Sequence, residues 1–113
     1  MLNKVQEILE DLLDVELDEI QPETYLIRDL EAESIDLLEL AIILNSNFSI
    51  KVNEDLIFLK RIREHISALD STSEVQKIYQ HLSCERIEEI KSELNNGPTL
   101  KVKDIISYLE WIG

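Results

Sequence analysis

The chain has 113 residues, of which 44% are hydrophobic and 31% are charged. This length suits a single domain, and the hydrophobic share excludes a disordered acidic tail. With two glycines and two prolines, the sequence has neither a glycine-rich phosphate loop nor the turn signals of an all-β fold. We therefore expect one all-α domain over residues 1–113.

The net charge is strongly negative and unevenly distributed. Twenty-four acidic residues against eleven basic residues give −13. Residues 1–50 hold thirteen acids and two bases, a net charge of −11, whereas residues 51–113 hold eleven acids and nine bases, a net charge of −2. Nucleic acids and anionic membranes bind basic surfaces, so we expect neither as a partner. We expect a partner protein with a basic surface, which would bind the acidic residues of the segment 1–50.

Two further features bear on where the protein acts. Cys84 is the only cysteine, so no internal disulfide can form, and the N-terminus lacks the pattern of a secretory signal. The longest hydrophobic run, residues 40–44, is far too short to span a bilayer. A cytoplasmic location without a membrane span is expected.

Hydrophobic periodicity predicts helices along most of the chain. The expected helices cover residues 2–13, 34 to about 47, 53–69, 71–82, a segment that resumes after a break near 83–84 and continues to 94, and 102–109. Residues 15–33 form a long connection containing Pro22, and connections of this length inside a domain usually have a function. The stretch Asn95–Pro98 predicts a firm helix stop.

The predicted second helix carries two hydrophobic stripes on nearly opposite sides. The stripes are Leu37, Leu40, Ala41 and Leu44, and Ile35, Leu38 and Ile42. One stripe suffices for a core face, so either the helix is buried on two sides or the second stripe is an exposed docking surface. Asp36 and Glu39 flank the second stripe, and hydrophobic patches rimmed by charge are typical of docking surfaces. The long preceding connection and the concentrated negative charge favour the docking surface.

Residues 29–40, DLEAESIDLLEL, resemble the signature of the acyl carrier proteins, D-L-G-x-D-S-L-D-x-V-E-L. Residues 20–26 are similar to the stretch that precedes this signature in the family. Residues 48–52 are similar to the end of its second helix, and residues 102–109 are similar to its closing helix. The resemblance covers residues 1–56 and 98–112, with the segments in the family's order.

The resemblance implies an acyl-carrier-type four-helix bundle in which Ser34 carries a 4′-phosphopantetheine arm. A carrier-protein synthase (phosphopantetheinyl transferase) would transfer the arm from coenzyme A. The physical logic agrees, because a hydroxyl at a helix start is accessible and the positive end of the helix dipole favours a phosphodiester. A flexible tether also raises the effective concentration of a bound group at a docked enzyme.

The arm's thiol would hold acyl groups as thioesters for acyl-transferring or condensing enzymes of a fatty acid, polyketide or related lipid pathway. The chain itself would be a monomer and not an enzyme. The partners' basic docking surfaces would contact six residues around the second stripe, namely Glu33, Ile35, Asp36, Leu38, Glu39 and Ile42.

Three alternatives stay open at this point. Ser34 is also a good helix N-cap, and that role alone would explain its position. An acidic helical adaptor that binds a basic protein without a prosthetic group fits the charge. A peptidyl-type carrier is a third possibility, but its usual G-G-x-S signature lacks the acid that Glu33 provides.

The sequence departs from the family's pattern in three places. Glu31 stands where the family has glycine, and residues 45–49 lack the acids common at the end of the second helix. Residues 57–97 are expected to be an inserted helical segment that enlarges the core and contributes specificity. Within it, Lys60, Arg61 and Arg63 form either a solvated helix face or a contact to acidic residues.

No metal site is expected. His81, Cys84, Glu85 and Glu88 have a spacing that places them on one face of a continuous helix, and metal sites use such spacing. The hydrophobic pattern breaks at this point, however, and no second cluster completes a coordination shell.

Overall fold

The computed structural model describes residues 1–113 and contains seven α-helices and no strand. The helices are α1 (Leu2–Leu13), α2 (Ser34–Phe48), α3 (Glu54–Ile57), α4 (Ile62–Ala68), α5 (Thr72–Ile78), α6 (Cys84–Glu93) and α7 (Val102–Ile112). The expected all-α fold is confirmed, and α1, α2 and α7 lie where the periodicity predicts them. None of the helices is both long enough and hydrophobic enough to cross a membrane.

The single helix predicted over residues 53–69 is wrong. Asn53 does act as an N-cap, since its side chain accepts a hydrogen bond from Leu56 N–H. The helix that it caps ends at Ile57, because Leu59 takes a left-handed conformation with φ 56° and α4 starts only at Ile62. The hydrophobic stripe continues across this turn, so periodicity alone does not reveal the break.

The two helices that follow are separated, but α5 ends at Ile78, before the predicted end at residue 82, so the break covers residues 79–83. Ser71 caps α5 through Glu74 N–H, and Ser83 caps α6 through Arg86 N–H. His81 lies in the turn between these helices, so it shares no helix face with Cys84. Burial lowers the pKa of His81 to about 4. Neither of its ring nitrogens has a hydrogen-bond partner.

The start of α7 is tied to the long first connection. Leu26 N–H donates to Leu100 O, Val102 N–H to Thr24 O and Lys103 N–H to Pro22 O, at 3.0–3.1 Å. An isolated antiparallel bridge joins Tyr25 to Lys101 within this contact. Hydrogen bonds from Lys101 and Lys103 lower the pKa of Glu23 to about 2. The connection is therefore held in one register against the last helix.

All helices share one hydrophobic core of 26 buried residues. Nine of these lie in residues 57–97: Ile57, Phe58, Leu59, Ile62, Val75, Tyr79, Leu82, Ile87 and Ile90. Tyr79 is fully buried, and its hydroxyl lies 2.6 Å from Nδ1 of His65. The predicted stripe residues Ile66, Leu69 and Ile78 are half-buried. Residues 57–97 thus contribute to the same core as α1, α2 and α7.

A buried ion pair joins α6 to α7. Arg86 Nε and Nη2 donate to the two carboxylate oxygens of Asp104 at 2.8 Å each, and the two side chains are 6% and 1% exposed. Arg86 also donates to Thr99 O, and Asp104 accepts from Lys101 N–H. Burial alone would lower the pKa of Arg86, but Asp104 raises it above the usual value. Both side chains of this ion pair thus also form hydrogen bonds to the backbone.

Replacing Asp104 by Asn should destabilise the protein strongly. The change keeps the side-chain shape but removes the only buried carboxylate that pairs with the guanidinium, and breaking a buried pair costs about 3–5 kcal/mol. Urea denaturation followed by circular dichroism measures the free energy of unfolding. Glu89→Gln is the matched control, because Glu89 also reaches Arg86 but is 53% exposed. It should cost less than about 1 kcal/mol, and equal losses in the two variants would contradict this account.

Candidate functional site

The turn before α2 fixes the position of the predicted attachment residue. Leu30 N–H donates to Tyr25 O, and Ala32 N–H donates to Leu26 O at 3.0 Å. Ala32 is buried and lies two residues before Ser34. Glu31 has φ 57°, the left-handed conformation that glycine adopts most easily. Glu31 stands where the family signature has glycine, and its backbone keeps the left-handed conformation that favours glycine.

Ser34 is exposed and is the first residue of α2. The interpretation of Ser34 as N-cap is wrong, because Glu33 occupies the N-cap position. Asp36 completes this start by accepting a hydrogen bond from Glu33 N–H at 2.8 Å. Since capping does not require the Ser34 hydroxyl, this hydroxyl is available for another role.

The second hydrophobic stripe of α2 faces outward. Ile35, Leu38 and Ile42 are 61%, 51% and 62% exposed. The other stripe, Leu37, Leu40, Ala41 and Leu44, is buried in the core. The helix is thus buried on one side only, and burial on two sides is excluded. Three large exposed hydrophobic side chains on one helix face form a patch next to Ser34.

The predicted acidic residues around this patch have different environments. Glu33 and Glu39 are exposed, and Glu39 follows Leu38 on the outer side of α2. Asp36 is half-buried, and its carboxylate is engaged in the helix cap. The structure therefore brings Glu39 together with the hydrophobic patch, but it commits Asp36 to the start of the helix.

A cavity of about 560 Å³ opens beside Ser34, whose side chain is part of its wall. Ile27 of the first connection and Leu37 of α2 line one part. Phe58 and Leu59, from the turn between α3 and α4, line another, and Leu94 with residues 97–100 completes the wall. The cavity thus joins the start of α2 to the segment 57–97. Sequence reasoning missed it, because no local pattern brings these segments together.

The cavity wall is free of acidic residues although the chain has 24. Two of the wall residues are cationic, Lys60 and Arg63. An accessible serine hydroxyl at a helix start, beside a cavity with positive and hydrophobic groups, fits a long arm attached through a phosphodiester. The residues present are therefore compatible with a phosphopantetheine group.

Comparison with known proteins also points to a phosphopantetheine group. The family described as "Phosphopantetheine attachment site" matches residues 3–69, more than half of the chain. This chain belongs to the acyl carrier protein family. Members are carriers and not enzymes, and the cofactor of this one is a covalently bound 4′-phosphopantetheine. An adaptor without a prosthetic group is therefore excluded.

Several acyl carrier proteins are similar to this chain. That of Picosynechococcus is 36% identical over 56 residues, covering 50% of this chain and 69% of that protein. That of Syntrophus aciditrophicus is 37% identical over 67 residues, covering 58% and 84%. That of Rubrobacter xylanophilus is 40% identical over 55 residues, covering 49% and 68%. No solved structure matches. The family match ends at residue 69, so α5, α6 and α7 lie outside it.

The structure offers no group of three or more His, Cys, Asp and Glu side chains placed to hold a metal ion. Of the four residues with metal-like spacing, His81 is in a turn and Cys84 is exposed at the first position of α6.

Replacing Glu31 by Gly should stabilise the protein by about 0.5–1 kcal/mol. The left-handed conformation costs a non-glycine residue about 1–2 kcal/mol, and the larger unfolded-state entropy of glycine offsets part of the gain. Glu39→Gly is the control with the opposite sign, because Glu39 is exposed inside a helix, where glycine costs about 1 kcal/mol. Thermal unfolding of both variants checks this, and a lower melting temperature for Glu31→Gly would contradict it.

Proposed function

We propose that Ser34 is the residue that carries the 4′-phosphopantetheine arm. The observation that carries the proposal is the exposed hydroxyl at the first residue of α2, inside the stretch that resembles the family signature. The hydrogen-bonded turn before it holds this hydroxyl at the surface. The free backbone N–H groups of the first helical turn favour the negative charge of a phosphodiester.

The arm, when bound, supplies a terminal thiol that holds an acyl group as a thioester. The protein's own contribution is to present the attachment point and to offer a surface to enzymes. No residue of the chain has to donate or accept a proton for this role. A carrier-protein synthase and acyl-transferring or condensing enzymes are the proposed partners. The proposed setting is a fatty acid, polyketide or related lipid pathway in the cytoplasm.

Ser34→Ala should abolish loading without unfolding the protein. Alanine is a good helix former, and the Ser34 hydroxyl makes no hydrogen bond within the protein, so the stability should change by less than about 0.5 kcal/mol. Intact mass after incubation with coenzyme A and a carrier-protein synthase measures the loading. Ser73→Ala, at another exposed helical serine, is the control that should load fully. Loading of Ser34→Ala, or no loading of the wild type, would refute the assignment.

We further propose that the exposed face of α2 is the docking surface. Ile35, Leu38 and Ile42 supply hydrophobic contact, and Glu33 and Glu39 attract basic partner surfaces. Asp36 contributes mainly by holding the helix start. Residues 45–49 carry no acid, so this surface is less negative at the far end of α2 than the family pattern implies. A partner adapted to this carrier would therefore have its positive charge close to the attachment point.

Glu39→Lys should slow loading by the synthase about tenfold at low salt. Exposed charges beside an interface act mainly on association, and salt screens them. Glu110→Lys makes the same charge change at an exposed position of α7 and should slow loading less than about twofold. The catalytic efficiency of the synthase with each variant, divided by its efficiency with the wild-type carrier, measures both effects. If Glu39→Lys and Glu110→Lys behave alike, or if about 0.5 M salt leaves the difference intact, α2 is not the docking surface.

Residues 57–97 are proposed to be an insertion that has become part of the carrier; its first part, residues 57–69, is also matched by the family model. Two observations support it: α7 resembles the family's closing helix, and the start of α7 binds the first connection. The nine core residues of the segment indicate that it is more than a surface decoration. A role in acyl-group or partner specificity follows from its position in the wall of the cavity beside Ser34.

A further inference from the structure

The cavity beside Ser34 has a charge opposite to that of the molecule around it. The protein has a net charge of −13, but none of the thirteen residues that line the cavity is acidic, and two are cationic. Acidic residues make up 24 of the 113 in the chain, so a wall of thirteen residues without one is unusual for this protein. The absence of carboxylates and the presence of cations favour an anionic group in this cavity.

We propose that Arg63 binds the phosphodiester of the arm on Ser34 and holds the arm along the cavity wall. This inference rests on the proposed attachment at Ser34. It assigns to the segment 57–97 a direct contact with the prosthetic group, in a site to which α4 contributes the cation.

Arg63 is the free cation of the wall. Lys60 is paired with Glu54 at 3.1 Å, and the neighbouring Arg61 is paired with Glu64, whereas Arg63 forms no salt bridge. One guanidinium nitrogen of Arg63 donates to Leu94 O, on another part of the wall. This hydrogen bond fixes the side chain at the cavity and leaves other N–H groups to donate. A planar guanidinium suits phosphate because it can donate two parallel hydrogen bonds.

The attachment point determines which anionic group occupies the cavity. Ser34 is itself a wall residue, so a phosphodiester on its hydroxyl starts at the cavity, and the short connection gives it a high effective concentration there. The volume of about 560 Å³ lies in the range of pockets that hold molecules of this size. Ile27, Leu59 and Leu94 provide hydrophobic surface for the rest of the arm.

The turn that forms this wall is also strained. Leu59 is 7% exposed and has φ 56°, a left-handed conformation that is unfavourable for a residue other than glycine. Ordinary helical continuation from α3 into α4 would avoid the strain. The left-handed residue separates the two helices and places α4, with Arg63, at the cavity.

The test measures how accessible the arm's thiol is in the loaded protein. A Cys84→Ser background removes the protein's only cysteine, so the arm carries the only thiol. The background protein, Arg63→Gln and the matched control Arg61→Gln are loaded from coenzyme A, and intact mass verifies the loading. The rate of alkylation by iodoacetamide, an uncharged reagent, is then followed by mass, and the phosphorus NMR shift of the phosphodiester is recorded.

Arg63→Gln should speed alkylation by about threefold, which is the size expected from one exposed ion pair. It should also move the phosphorus shift toward that of the same phosphodiester in the loaded protein unfolded in urea. Arg61→Gln should match the background in both measurements. Arg63→Lys keeps the charge and should stay close to the background, and about 1 M salt should bring the background to the rate of Arg63→Gln.

Equal alkylation rates and phosphorus shifts for Arg63→Gln and Arg61→Gln would overturn the inference. The salt measurement uses only the background protein, so it tests the inference even if Arg63→Gln folds poorly. An alkylation rate of the background protein that does not depend on salt would also overturn the inference. Failure of the proposed function is distinct, because it appears earlier as a protein that gains no mass from coenzyme A.

Discussion

The buried carboxylate of Asp104 is the contact on which the arrangement of the site depends. It accepts two hydrogen bonds from Arg86 of α6 and one from Lys101 N–H at the start of α7. One side chain therefore fixes where α7 begins and where α6 lies against it. Residues 100–103 in turn hydrogen-bond residues 22–26, which lead into the turn before Ser34. A charge buried this deeply needs these donors in place, so the contact favours a single arrangement of α6, α7 and the first connection.

The carrier site follows from that arrangement. The resemblance to the acyl carrier proteins explains an exposed serine at the start of a helix and an outward hydrophobic stripe beside it. It does not explain the cavity, whose wall comes from α2, the turn after α3, α4, Leu94 and residues 97–100. Because α6 is anchored on α7, residues 94–100 are held next to the start of α2. Leu94 and residues 97–100, which lie beyond the family match, thus complete the cavity beside Ser34.

Much of the fold could be predicted from the sequence because the strongest local signals coincide with the real boundaries. The predicted caps Asn53 and Ser71 are N-caps, and Gly97, with φ 116°, ends the helical turn that follows α6. The outward stripe of α2 could be predicted because one helix needs only one core face. The break after Ile57 could not, since Leu59 adopts a left-handed conformation that only tertiary packing justifies. Nor could the Arg86–Asp104 pair or the role of Arg63, because both depend on segments far apart in sequence.

We propose that the prosthetic arm on Ser34 and the segment 57–97 share one site. Backbone amide chemical shifts of the isotope-labelled protein, recorded before and after loading from coenzyme A, test this proposal. Loading should shift residues 58–63, 94 and 97–100 as well as the first turn of α2. Shifts confined to the sequence neighbours of Ser34 would contradict it.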